Sequence, residues 1–128
     1  PIHLEQGMAN IQWERDTEWV RENLVNAITI IHEDENGTVE RTGLHLREFL
    51  DTYRVSTKKE LPIRRNGSVH VINLVEGSHA LLLSQSENFP PFALHYAETC
   101  IVPEAAGAYS ILSPEGEPIR AVIACVRG

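Results

Sequence analysis

The sequence predicts a mainly β domain, an antiparallel jelly-roll-like β-barrel with one or two short N-terminal helices. Three observations carry this. From Tyr53 onward, apolar and polar residues alternate with the period of two that a half-buried strand requires. Turn chemistry interrupts that alternation at roughly 8–12-residue spacing, as in sandwiches and barrels. The chain is 128 residues long, enough for one domain with one core. Open sheet edges invite aggregation, and closure into a barrel removes them.

The elements follow in order. Leu4, Met8 and Ile11 share one face at helical spacing, so Pro1 to Ile11 reads as a short helix, with Pro1 suited to its start and Gly7 weakening its middle. Asp16 offers an N-cap for a second helix over Thr17 to Leu24. Ala27 to His32 is a β-branched run, Asn36-Gly37 a hairpin turn because both residues tolerate positive φ, and Thr38 to Arg41 the returning strand. Leu44 to Leu50 fits one helical turn.

Tyr53, Val55 and Thr57 then set a strand face that Leu61 and Ile63 resume. Asn66-Gly67 reads as a second hairpin turn. In the strand after it, Val69, Val71, Asn73 and Val75 form one face and His70, Ile72 and Leu74 the other. Glu76-Gly77 turns the chain and Ala80 to Leu83 returns it. Phe92 to Tyr96, Thr99 to Val102, Tyr109 to Leu112 and Ile119 to Val126 are the remaining strands, with turns at Ala97-Glu98 and Pro114-Glu115-Gly116. Residues 1–50 are thus expected to be a helical and hairpin segment packing on the barrel, and 51–128 the barrel itself.

Composition narrows the function classes. Eleven Lys and Arg against eighteen Asp and Glu give a net charge of −7, which repels phosphate backbones and excludes nucleic acid as a partner. The densest basic cluster is Lys58, Lys59, Arg64 and Arg65, interrupted by Glu60, and it reads as a solvated strand end. No apolar run approaches the ~20 residues of a membrane span, and no signal-peptide pattern opens the chain. Cys100 and Cys125 lie in apolar runs, which fits small buried hydrophobes in a reducing compartment. The expected location is cytoplasmic. Because the chain begins at Pro1 with its periodicity already running, an excerpt from a longer protein, or a processed product, is expected.

Two stretches resemble the cupin family. Val69 to Leu83, "VHVINLVEGSHALLL", is similar to the first cupin motif, with its strand, Glu-Gly turn and returning strand. Tyr96 to Ile111, "YAETCIVPEAAGAYSI", is similar to the second, with Pro103 and Gly107 in the places of the motif's proline and glycine. Together they resemble most closely the carboxy-terminal domain of type I mannose-6-phosphate isomerases. The opening "PIHLEQGMANI" looks like the helix that often follows the catalytic region in that family. Residues 13–50 carry no such resemblance. A metal-binding cupin has two His two residues apart, a Glu soon after, and a further His in the second motif. Here His70 stands alone, Ile72 takes the second position, and Tyr109 stands at or near the place of the distal His. The resemblance therefore implies a barrel without its metal site. The family's zinc belongs to a catalytic domain for which this chain has no ligand set.

The remaining candidates are weak. His3, His32, His45, His70, His79 and His95 include no pair two to five residues apart, although His70 and His79 could face each other across the Glu76-Gly77 turn. Glu33-Asp34-Glu35 and Glu115/Glu117 are carboxylates beside turn glycines, where solvation explains them better than acid–base work. Ser84-Gln85-Ser86 has no base near it in sequence, and no glycine-rich phosphate loop is present. Trp13 and Trp19 with Arg15 and Arg21 fit either core packing or an interface.

No catalytic, cofactor-binding or metal-ligating residue is therefore assigned. The resemblance implies an accessory carboxy-terminal domain of a mannose-6-phosphate isomerase-like protein, an aldose–ketose sugar-phosphate isomerase with zinc in its parent catalytic domain. In that setting the segment alone is expected to be inactive and its partner is the missing catalytic domain. The alternatives are a small-molecule or carbohydrate-binding cupin domain, with a ligand in the barrel mouth, or a dimerising one.

Overall fold

A computed structural model describes residues 2–43, 45 and 47–127. Two short helices come first, α1 (Leu4–Ala9) and α2 (Thr17–Asn23). Ten strands follow: β1 (Thr29–Glu33), β2 (Gly37–Arg41), β3 (Leu50–Thr57), β4 (Glu60–Ile63), β5 (His70–Glu76), β6 (His79–Ser84), β7 (Phe92–His95), β8 (Thr99–Val102), β9 (Tyr109–Leu112) and β10 (Ile119–Val126). A 3-10 turn, Glu104–Ala106, lies between β8 and β9. The start of the first helix at Pro1, and the helical turn read over Leu44 to Leu50, involve residues outside those described. From Leu50 the chain is already in β3.

Among the described residues all pairings are antiparallel and fall into two sheets. The larger has the order β1-β2-β3-β10-β5-β8, the smaller β4-β9-β6-β7. The β3–β4, β4–β5, β5–β6, β7–β8, β8–β9 and β9–β10 connections all pass from one sheet to the other. That alternation is the jelly roll the strand rhythm predicts. The sheets face each other across a shared core, and no ladder joins them edge to edge among the described residues.

The crossing pattern corrects one reading. Asn66-Gly67 is not a hairpin turn. It links β4 in the small sheet to β5 in the large one, with Gly67 at φ +76°. Asn36-Gly37 does close a hairpin, but not through positive φ at both residues, since neither adopts it. The Asp34 carboxylate does that work, accepting the backbone N–H of Asn36 (2.8 Å) and of Gly37 (3.1 Å). Gly37 is needed for a different reason. A Cβ there would collide with the Ser56 carbonyl of β3.

The predicted alternation becomes the core. Val55, Ile72, Leu74, Ala121 and Ile123 face inward from the large sheet, and Leu61, Ile63, Leu82, Leu94 and Ile111 meet them from the small one. Val69, Val71 and Val75 are the outer face of the β5 segment. At roughly 1.5–3 kcal/mol per fully buried aliphatic side chain, this layer is the main stabilising element. Gly77, at φ +95°, brings the β5–β6 corner against β10, where an added Cβ would stand 2.6 Å from Ile119 Cγ2.

The N-terminal segment is built differently. Asp16 caps α2 as predicted, its carboxylate accepting the Trp19 N–H at 2.9 Å. Yet neither helix contains a buried residue, and every residue of β1 is exposed. Leu4 is 71% exposed and Trp13 66%. Core packing for Trp13 is therefore excluded. Trp19 is half-buried, with the Arg15 guanidinium 4.7 Å above its ring. No helix of the described residues is long and apolar enough to cross a membrane.

Candidate functional site

One end of the sandwich is open. There β1, β2 and β3 of the large sheet and the β4–β5 segment border a cavity of about 590 Å³. Its apolar wall includes Val39, Val55, Ile63 and Ile123, and its polar wall Arg41, Arg64, Arg65, Asn66 and His70. A second hollow, of about 470 Å³ beneath Phe89 and Phe92, has no charged side chain in its lining.

Strand register explains which side chains gather at the open end. Asp51 on β3, Cys125 on β10 and His70 on β5 are paired in one row across the large sheet, and all three are buried. Opposite this row, Ile63 pairs with Tyr109 on the small sheet. His70 and Tyr109, 39 residues apart, thereby meet in the interior. The His70 Nδ1 and Tyr109 hydroxyl are 2.8 Å apart, with the rings edge to face.

The protonation of this pair can be worked out. The Asn66 Nδ2 amide donates to the Val126 carbonyl at 2.9 Å, so the Asn66 Oδ1 is the atom that faces His70. That oxygen only accepts, so His70 Nε2, 3.3 Å away, carries the proton. Nδ1 is then the acceptor and the Tyr109 hydroxyl donates to it. Burial, reinforced by the nearby Arg65 charge, pulls the His70 pKa down to about 4, so the ring is neutral at physiological pH. Burial likewise pushes the Tyr109 phenol up. Both ring nitrogens of His70 are engaged within the protein.

Two arginine clusters border this pair. Asp51 is shared between Arg41 and Arg127. Arg41 holds both of its oxygens, through Nη2 at 2.8 and 2.6 Å, and Arg127 Nη2 donates to Oδ1 at 2.7 Å. Burial raises the Asp51 carboxyl, but the hydrogen bonds from Arg41 and Arg127 outweigh it and hold the group below its ordinary value. On the other side, Arg65 Nη2 donates to the Ser68 and Pro103 carbonyls and to Glu104, at 2.8, 3.2 and 2.7 Å. Its guanidinium carbon lies 5.6 Å from the centre of the Tyr109 ring. Arg65 Nε and Nη1 are buried and have no hydrogen-bond partner.

The other sequence candidates divide sharply. Arg64 and Arg65 line the cavity, whereas Lys58 and Lys59 do not, and Lys59 faces Glu35 at 3.5 Å on the surface. His79 does not approach His70. It pairs across the small sheet with His95, ring centres 6.2 Å apart, and His95 bonds Glu98 at 3.0 Å. The reason is the sheet crossing at Gly77, which puts His70 and His79 on opposite layers. Asp34 is a turn brace, also bonded by His32 Nε2 at 3.1 Å. Glu115 and Glu117 are exposed in the β9–β10 loop. Ser84 Oγ accepts from the Ser86 and Asn88 backbone. Cys100 and Cys125 are free. Among the described residues no group of three or more His, Cys, Asp or Glu converges. Sequence reasoning missed Arg41, Asp51 and Arg127. The signal for Asp51 was its phase, since it shares the inward face of β3 with Tyr53, Val55 and Thr57.

No protein-family model matches the chain, and no curated protein matches it in sequence. Solved structures do match. A mannose 6-phosphate isomerase from Bacillus subtilis aligns at TM-score 0.60 with 13% identity, over 76% of this chain and 27% of that one. An oxalate decarboxylase from Lactobacillus farciminis aligns at 0.65 with 14% identity, over 80% and 32%. A cupin 2 conserved barrel domain protein from Salinispora arenicola aligns at 0.58 with 12% identity, over 76% and 81%. The chain thus has the cupin fold and spans about a third or less of the two enzymes. The same fold also fills most of a single-barrel protein.

Proposed function

We propose that this chain is a cupin domain that binds a small molecule in its open mouth without a resident transition metal. The observation that supports it is the cavity of about 590 Å³ bordered by Arg41, Arg65 and Asn66. Its volume falls in the range of small-molecule sites, with a largely apolar wall and a few convergent polar groups. The residues do not fit the metal arrangement that cupin resemblance implies. The two nitrogens of His70 are taken by Tyr109 and Asn66, Ile72 fills the next inward position of β5, and Tyr109 stands opposite. Elemental analysis of untagged protein tests this half of the reading. Less than a tenth of an equivalent of zinc, iron or manganese per chain is expected. One tightly held equivalent, lost in His70→Gln, would overturn it. The binding half is tested by Val39→Trp, which fills the mouth. It should abolish any thermal stabilisation found with a panel of sugars, sugar phosphates and organic acids.

A second reading places the chain as the accessory carboxy-terminal domain of a mannose-6-phosphate isomerase-like protein. The isomerase among its structural neighbours, together with the two sequence stretches above, supports this. The zinc and the isomerase chemistry would then sit in a separate catalytic domain, and the compartment would be the cytoplasm. Aldose–ketose isomerisation needs a placed base, an electrophile for the enediolate and a phosphate cradle. The 128-residue chain is therefore expected to form no fructose 6-phosphate from mannose 6-phosphate in a coupled assay with added zinc. Turnover comparable with a complete isomerase would refute this reading.

A further inference from the structure

We propose that the ligand of the mouth is an organic monocarboxylate with an apolar body, its carboxylate held by Arg65; this rests on the reading of the mouth as a small-molecule site. Four observations carry it. Arg65 lines the cavity, and two of its nitrogens, Nε and Nη1, are buried without a hydrogen-bond partner. A guanidinium is charged at every accessible pH, so its buried N–H groups demand an acceptor. The Tyr109 hydroxyl, which donates to His70 Nδ1, is the one neighbouring oxygen that interacts with Arg65, and it leaves both nitrogens short of a full hydrogen bond. Asn66 Oδ1 and both nitrogens of His70 are already engaged with each other and with Tyr109.

Charge points the same way. Around the mouth Arg41, Arg64, Arg65 and Arg127 face Asp34, Asp51 and Glu104, an excess of one positive charge in a chain of net −7. Arg64 makes no ion pair among the described residues. A local positive potential on an acidic protein draws a small anion to that one place.

The cavity also limits the anion. Its wall is built from strands, the β1–β2 turn and the β4–β5 loop, with no helix N-terminus in it. Dianionic phosphates are usually met by several backbone N–H groups at a helix start or glycine loop, whereas a planar guanidinium matches a carboxylate. Asp34 lies in the same wall and repels a second negative charge. Val39, Val55, Ile63 and Ile123 give the body of the ligand an apolar bed.

The test titrates the 15N-labelled full chain with sodium hexanoate and sodium benzoate, following the Arg65 Nε–H and the His70 ring by NMR. A saturable shift of the Arg65 Nε–H is expected with at least one of them. Affinity should fall at least tenfold in Arg65→Met, and at least tenfold when the acid is replaced by its uncharged amide. Val39→Trp keeps Arg65 in place and should abolish the shift, which preserves the test should Arg65→Met unfold. Equal binding of acid and amide, or Arg65→Met within twofold of the parent, overturns the carboxylate assignment and leaves the mouth a ligand site. Saturation by mannose 6-phosphate in preference to both acids overturns it in favour of a phosphate. If none of these probes perturbs the lining residues of a folded sample, both the carboxylate and the binding reading fall.

Discussion

The N-terminal segment and the sandwich use the same kinds of residue to opposite effect. Leu4, Met8 and Ile11 repeat at helical spacing as regularly as Leu61 and Ile63 alternate in β4, yet the first three are exposed and the second two buried. Periodicity records what the backbone does locally. Burial also needs an opposing face, and among the described residues only the two sheets provide one for each other. Stability should therefore be concentrated in residues 50–126 and nearly absent from residues 2–33.

The largest break in this contrast comes from the core. Ile72→Ala or Leu82→Ala should cost roughly 2–5 kcal/mol by urea denaturation. Leu4→Ala and Ile30→Ala should stay within about 0.5 kcal/mol. A loss at Leu4 comparable with that at Ile72 would mean that the arm is docked in solution.

The next effect tests charge. Asp51→Asn leaves Arg41 and Arg127 without their shared carboxylate and should cost on the order of 3 kcal/mol, because Asp51 is buried. Glu40→Gln, which removes the partner of half-exposed Arg54, should cost less than about 1 kcal/mol. Similar losses for both would show that water reaches Asp51.

His70 gives a pH-dependent effect of somewhat smaller size. Its folded pKa of about 4 lies below the ordinary 6.5, so between these values the unfolded chain binds more protons than the folded one. The stability from this residue is fully present above about pH 6.5 and is lost as the pH falls from there through about 4. The loss is on the order of 2–3 kcal/mol. His70→Gln should flatten the curve of stability against pH in that window. An unchanged slope would place the titration elsewhere.

Two glycines give the smallest contrast. Gly77→Ala should destabilise more than Gly116→Ala. Both have positive φ, but a Cβ at Gly116 meets nothing, while one at Gly77 meets Ile119. About 1 kcal/mol is expected for Gly116 and more for Gly77. Equal midpoints would show that the β5–β6 corner yields freely.

Much of the fold was legible because strands declare themselves locally. The β10 segment, Ile119 to Val126, lies where the alternation places it. The destinations of the turns were not legible. Asn36-Gly37 and Asn66-Gly67 have identical residues, yet one stays within a sheet and the other crosses between sheets. Turn residues report a backbone angle, and which layer receives the next strand is decided by burial many residues away. The site divides in the same way. The comparison of motifs singled out His70 and Tyr109, and the fold brings them together. Asp51 finds its partners 10 and 76 residues along the chain, at distances no spacing rule covers.

The position of β10 has a consequence for synthesis. It runs between β3 and β5 in the large sheet, so those two strands are not joined in one sheet until residues 119–126 exist. A nascent chain carrying both but not yet β10 would hold unpaired strand edges and an uncovered apolar face. Pairings of this range close slowly, because the entropy of a long loop must be spent before any contact rewards it. Assembly of the large sheet must therefore wait for β10, and the chain is most open to aggregation before that strand arrives.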